Sequence, residues 1–301
     1  MRQKSTTSIT VEIQGGLGNQ LFQLCAAIVA ASRTRRSFIL DIEKLRLSRA
    51  PGRQRRTFEL LDFVTEAEVA TLSHAWIQRL KWCFQQVETE QGPCDNVLSR
   101  VYPHTDRIVG YFQNYQLVEE ASDSLFRRIN KNEKFRSLLF GEQRDEIAVH
   151  VRCGDYLSTR SRAFHGLTKP QYFAEAIRLA ANSTAAERIR IVSDNPQLAG
   201  ALLVSTGICS DFEIDVSRQS TVWEDLAILA NSRAVVMSNS SFSWWGGYLA
   251  SRIHNSVVVA PTPWFTKHIG VEQILFGPSW KILDREIYSP EFSILNLPLS
   301  M

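Results

Sequence analysis

The chain has 301 residues, 44% of them hydrophobic and 22% charged, a balance that fits a folded globular protein of one large or two smaller domains and excludes disorder. Its net charge of +3 is too small to imply a nucleic-acid partner. No apolar run approaches the roughly 18 residues of a membrane-crossing helix, and the opening MRQKSTTS lacks the apolar centre of a signal peptide, so the expected location is the cytoplasm.

The first element is SITVEI (8–13), which alternates and is rich in β-branched residues; QGGLGNQ interrupts it, and LFQLCAAIVAAS (21–32) has helical spacing. In this strand, turn and helix, Gly15, Gly16 and Gly18 let the backbone bend sharply and approach a ligand, while Asn19 and Gln20 open the helix with amides that an anion could meet. A tight turn with no ligand explains the same residues. A dinucleotide fingerprint would need a third glycine where Leu21 stands, which weakens an oxidoreductase reading. The basic strings RTRR (33–36) and RLSRAPGRQRR (46–56) follow, and residues 1–56 carry 11 Lys and Arg against 3 acids. Segment 33–56 could make a peripheral contact with the anionic inner membrane or meet a phosphorylated substrate; a solvated loop is the plainer reading.

SFILDI (37–42) reads as the second strand. The stretch 60–135 is mostly helical in pattern, with EAEVATLSHAWIQRLKWCF as its clearest helix and RIVGYFQNYQLVEEA as a strand passing into a helix, and it carries no chemical motif that can be read. From DEIAVHVRCGDYL (145–157) strand and helix alternate again. QYFAEAIRLAA, EDLAILANS and SFSWWGGYLASRI are helices, and RIRIVSDN, AVVMSNS and SVVVAPTPWF are strands. Two runs of β-α units predict an α/β protein of two doubly wound parallel-sheet domains facing a cleft, 1–140 and 141–301, with the boundary in the polar connection LLFGEQRDE.

Ligands of open parallel sheets bind beyond the carboxyl ends of the strands, and four predicted strand ends carry polar or glycine motifs. In VHVRCGDYL, His150 and Arg152 share one face of a strand, so an imidazole stands beside a guanidinium suited to bidentate bonds with phosphate. A satisfied core histidine and a buried ion pair, for instance with Asp155, are the alternatives. Asp194 could accept from the N1 and N2 amines of guanine, or with Asn195 simply start the helix at Pro196. Asn239, Ser240, Ser241 and Ser243 offer an amide and hydroxyls at a helix start that suits a diphosphate, whereas Trp244 and Trp245 read as core. Five cysteines with no C-x-x-C pair read as reduced thiols, and with no D-x-D or His/Cys ligand pair no metal site is expected.

In chain order GGLGNQLFQ, VHVRCGDY, FHGLTKPQYFAEAI, VSDN and SNSSFSWWGGYLA resemble the bacterial α-1,2-fucosyltransferases of glycosyltransferase family 11, over residues 11 to about 265. The resemblance implies a GT-B-like fold, GDP-fucose as donor, inversion at the anomeric carbon and no required metal or other cofactor. It also implies an N-terminal acceptor-side domain and a C-terminal GDP-fucose-binding domain, acting in surface polysaccharide or oligosaccharide synthesis. His150 and Asp194 would contact guanine, Arg152 the pyrophosphate, and Ser241 and Phe242, beside Ser240, the diphosphate side of the donor. The turn with Gly16, Gly18, Asn19 and Gln20 would close on the donor from the other domain. Asp155 is the first candidate for the general base and His165 the second. The family pattern H-x-R-R-x-D has Cys153 here in place of its second arginine; alternation turns Cys153 away from Arg152, so activity is still expected, with weaker donor binding. Competing expectations are a glycosyltransferase using another nucleotide sugar and a non-catalytic sugar-nucleotide-binding protein.

Overall fold

The computed structural model describes residues 8–47, 56–70, 86–92, 95, 97–153, 165–166, 168–217, 220–266 and 272–285. The chain forms two compact units, Met1–Arg136 with Gln273–Leu275, and Ser137–Glu272 with Phe276–Met301. Both are α/β with a parallel sheet, the class expected from the alternating pattern.

In the first unit, β1 (Ser8–Glu12) buries Ile9 and Val11, and pairs in parallel with β2 (Ser37–Asp41) on one side and β5 (Arg107–Val109) on the other. The edges are β3 (Val69–Ala70) and β4 (Val87–Thr89), giving the order β3-β2-β1-β5-β4. Helix α1 (Leu17–Thr34) crosses from β1 to β2 and ends at Arg35 in the left-handed conformation, whose N–H closes on the Ala31 and Ser32 carbonyls. A short helix, α2 (Glu43–Leu47), follows β2. Helix α3 (Tyr115–Lys131) packs on α1; Asn114 Oδ1 accepts the Leu117 N–H at its start, and Arg128 and Lys131 sit in its last turn, at the negative end of its dipole. Helix α4 (Glu133–Leu139) leads out of it.

The middle of the chain corrects the helical reading. Where EAEVA was expected to begin a helix, Glu66–Glu68 make one 3-10 turn, boxed by Thr65 and Glu68, and Val69 and Ala70 then pair with β2. The rest of that expected helix lies outside the described residues. Neither β3 nor β4 has the length or alternation that marks a strand in sequence; each is held by its neighbour in the sheet.

The second unit contains β6 (Arg144–Val151), α5 (Pro170–Thr184), β7 (Arg188–Ser193), α6 (Pro196–Val204), β8 (Glu213–Val216), α7 (Val222–Ala230), β9 (Ser232–Val236), α8 (Ser241–His254), β10 (Val257–Thr262), α9 (Glu272–Leu275) and β11 (Lys281–Asp284). Its sheet runs β11-β10-β9-β6-β7-β8, all parallel. The chain works outward from β6 to β8, returns to β9 on the other side of β6, and works outward again. The order therefore reverses between β6 and β9, where adjacent crossovers depart to opposite sides and leave a crevice.

Strand β6 is covered on both faces. Ile147, Val149, Val151 and Cys153 join one core with Tyr172, Ile177, Ile189 and Ile191, while the alternate residues Ala148 and His150 point to the other face. There Trp244, Trp245 and Tyr248 of α8 stack into an aromatic block with Trp280, so the tryptophans are core residues, as their spacing suggested. The two glycines after them let α8 approach closely: a Cβ at Gly246 would lie 2.5 Å from Leu229 Cβ, and one at Gly247 2.9 Å from Val258 Cγ1. Gly246→Ala should therefore lower stability by about 1–3 kcal/mol through overpacking, despite the better helix propensity of alanine. A urea melt checks this; an unchanged or raised midpoint would show that α7 and α8 separate freely.

Candidate active site

The parallel register assembles the second unit's polar cluster. His150 lies opposite Val192 and Val151 opposite Ser193, so one residue further Arg152 stands beside Asp194. Arg152 Nη1 meets Asp194 Oδ2 at 2.9 Å, and the other carboxylate oxygen accepts the Cys153 N–H at 2.9 Å. Ser193 Oγ donates to the Val151 carbonyl at 2.6 Å and accepts the Asn195 N–H, fixing the β7 end to the β6 end. Asn195 caps α6 at Leu198, with Pro196 in the first turn. Helix capping therefore falls to Asn195, and Asp194 is tied to Arg152 and the β6 backbone. The arginine's ion pair is with Asp194 rather than with the Asp155 that sequence offered as an alternative. Asp155 itself lies outside the described residues.

Across the β6–β9 crevice, His150 Nδ1 is 2.8 Å from Ser238 Oγ, and its ring lies 5.2 Å from that of Phe242. His150 is buried. Burial, reinforced by the positive charge of Arg152, pushes its pKa down to about 3, so the imidazole is neutral at physiological pH. Burial likewise pushes the Cys153 thiol up to about 11, with Asp194 adding to the effect, which leaves a neutral thiol in the core facing away from the crevice.

The start of α8 is partly committed to its own structure. Ser240 Oγ accepts the Phe242 N–H at 3.3 Å as the helix cap, and Ser243 Oγ donates to the Ser238 and Ser240 carbonyls from a fully buried position. Ser241 and Phe242 are the partly exposed members of the group. Asn239 is a buried hub: its amide donates to the His165 carbonyl at 2.7 Å and the Trp264 carbonyl at 3.3 Å, and its oxygen accepts from Thr168 Oγ1. The structure thus brings His150, Arg152, Asp194, Ser240, Ser241 and Phe242 to one sheet edge and ties the His165 backbone to the same turn.

In the first unit, Gly15 takes a left-handed backbone (φ 82°), which glycine adopts freely, and Gly16 caps α1 in an extended conformation. Gly18 is buried inside α1. Asn19 Oδ1 accepts from Gln113 Nε2 at 3.0 Å. Gln20 departs from expectation. Its Nε2 donates to the Gly15 and Thr57 carbonyls and its Oε1 accepts the Glu59 N–H, so the amide is a buried strut rather than a group offered to a ligand. Gln23 is a second strut, accepting the Gln14 N–H and donating to the Gly110 carbonyl. Sequence reasoning passed over Gln23 and the Gly110–Gln113 turn after β5; a lone glutamine on the buried stripe of α1 and a glycine directly after RIV were the available signals.

Of the basic segment, Arg33 pairs with Glu120 and Arg36 donates to backbone carbonyls at Ser8, Pro103 and Thr105, so two of its charges serve the first unit. Residues 48–55 lie outside the described part. Among the described residues no helix is long and apolar enough to cross a membrane, and no group of three or more His, Cys, Asp or Glu is placed to hold a metal ion. Cys25 and Cys153 are buried free thiols.

The profile of "Glycosyl transferase family 11" matches residues 4–284. The chain is 25% identical to an α-1,2-colitosyltransferase of Escherichia coli over 273 residues, covering 86% of this chain and 93% of that protein. It is 22% identical to a galactoside 2-α-L-fucosyltransferase of Caenorhabditis elegans over 292 residues, 91% of this chain and 79% of that protein. Among solved structures, the fucosyltransferase NodZ from Bradyrhizobium is similar over 80% of this chain and 93% of its own, at 15% identity and a TM-score of 0.45.

The neutral His150 has a measurable consequence. Its folded pKa lies below the ordinary value near 6.5, so the unfolded chain binds the extra proton first and stability falls as pH drops from about 6.5 toward 3. Between pH 7 and 4.5 the parent should lose up to about 2 kcal/mol more than His150→Asn in urea melts. Equal pH slopes would show that His150 titrates normally in the folded protein.

Proposed function

Because the chain belongs to glycosyltransferase family 11, we propose that it transfers fucose from GDP-fucose to the 2-hydroxyl of a galactoside, with inversion and without a required metal. The observation that carries this reading is the Arg152–Asp194 pair at the carboxyl ends of β6 and β7, beside the β6–β9 switch point, where a parallel sheet offers a ligand its strand ends. Arg152 is the phosphate-binding group: its planar fork suits two oxygens at once, and Asp194 holds the fork in place. Ser241 and the first turn of α8 supply a second set of donors and the positive end of a helix dipole. His150 and Phe242 face the base, and Asp194 keeps acceptor capacity toward guanine beside its bond to Arg152.

In the reaction the acceptor hydroxyl oxygen forms a bond to C1 of the β-linked donor as the C1–O bond to GDP breaks. The electron pair leaves with GDP, whose developing charge Arg152 and the α8 start stabilise. The hydroxyl proton passes to a general base, Asp155 or His165. With Cys153 buried in the core, the phosphate site rests on one arginine, and donor binding is correspondingly weaker than with two. The first unit supplies the acceptor side. A second donor is favoured by the similarity to a colitosyltransferase: GDP-colitose, whose sugar lacks one hydroxyl of fucose.

Isothermal titration with GDP-fucose in EDTA tests the reading. The parent should bind, and Arg152→Ala should weaken binding at least 10-fold, about 1.4 kcal/mol or more. Binding that is unchanged in the variant would remove Arg152 from the phosphate site. Binding without slow GDP release in the absence of acceptor would favour a non-catalytic binder.

A further inference from the structure

In the first sheet β5 lies beside the central β1, and the segment that leaves the carboxyl end of β5, the end at which parallel sheets bind ligands, is Gly110–Gln113. This turn is built at local cost. Phe112 takes a left-handed backbone (φ 55°) that a bulky side chain rarely adopts, and its ring is buried. Side chains hold three of the backbone groups around it. Gln23 donates to the Gly110 carbonyl at 3.0 Å, and Glu90 Oε2 accepts the Tyr111 N–H at 2.6 Å and the Phe112 N–H at 3.4 Å. Gln113 is tied to Asn19 in the glycine turn after β1. Gly110 has no room for a side chain, since a Cβ there would lie 2.6 Å from Glu90 Cβ.

Two further features mark the turn as more than a connection. Among the described residues Glu90 Oε1 and Gln113 Oε1 are buried acceptors with no hydrogen-bond partner, although each side chain is anchored through its other polar atom. And the turn buries Phe112 while leaving the neighbouring Tyr111 43% exposed. Side-chain support, a strained backbone and one aromatic residue in solvent coincide at the edge where this sheet type binds ligands. The matching ligand has a flat apolar C–H face for the ring and polar groups around its rim, which is the chemistry of a sugar. In a galactoside the axial 4-hydroxyl leaves the C3, C4 and C5 hydrogens on one open face for such stacking.

We propose that Tyr111 is the platform on which the acceptor galactoside stacks, presented by the Gly110–Gln113 turn. The proposal rests on the glycosyltransferase reading above and adds to it the residue that selects the acceptor. Tyr102 provides the control: it is 51% exposed, but it precedes β5 and so lies toward the other end of the strand.

The test uses methyl β-D-galactoside and lactose as probes with the full chain. Saturation-transfer NMR reports contact between the protein and the sugar C–H groups without requiring turnover, and acceptor KM, kcat and GDP-fucose affinity are measured alongside. Tyr111→Ala should lose the saturation transfer and raise acceptor KM at least 10-fold with kcat and donor affinity little changed, and Tyr111→Phe should retain both signals. Tyr102→Ala should behave as the parent. An unaltered KM and saturation pattern in Tyr111→Ala, or no saturation transfer to either galactoside in the parent, overturns the proposal. Loss of GDP-fucose binding by the parent, with galactoside contact intact and dependent on Tyr111, would overturn the donor assignment and leave the platform standing.

Discussion

The second unit depends on one ion pair placed by sheet register. Arg152 and Asp194 are neighbours because β6 and β7 run parallel in step, and the pair closes the ends of both strands. Asp194 reaches the Cys153 backbone N–H as well as the guanidinium, so one carboxylate fixes a charge and the chain that carries it. In the proposed donor site, a phosphate arriving at Arg152 would meet a fork already oriented, and little side-chain freedom would remain to be lost on binding. A neutral His150 on the same face adds no second positive charge and leaves Arg152 to define the field at the crevice.

Around that pair the protein uses buried amides as struts. Asn239 ties the His165 and Trp264 carbonyls to the turn before α8; Gln20 and Gln23 do comparable work around the glycine turn of the first unit. Each amide sits where a loop would otherwise leave carbonyls or N–H groups buried without partners, an arrangement costing about 1–3 kcal/mol per group. Positions that look ligand-binding in a list of polar residues can thus be the frame that holds a site open.

What was legible in the sequence follows from this division. The β6 face pattern was readable because valine and polar residues alternate with period two, and it placed Cys153 in the core and His150 and Arg152 opposite. The tryptophans of α8 were readable as core, whereas the close packing at Gly246 and Gly247 was not. Partners were not: that Arg152 meets Asp194 depends on register between strands 40 residues apart, and that Gln20 binds Thr57 and Glu59 depends on a loop with no periodicity. Strands β3 and β4 escaped notice because two or three residues carry no repeat, and residues 66–70 have good helical composition overridden by the open edge of β2. The turn after β5 stayed hidden because its strain lies in a backbone angle.

Hydrogen–deuterium exchange of the whole chain with and without GDP reports directly whether nucleotide sits at the Arg152–Asp194 pair. Under saturating nucleotide, exchange should slow at the ends of β6, β7 and β9 and in the first turn of α8, residues 150–153, 193–195 and 238–243. Protection confined to the glycine turn after β1, with the β6 and β9 ends unchanged, would contradict this placement and move the nucleotide to the other sheet.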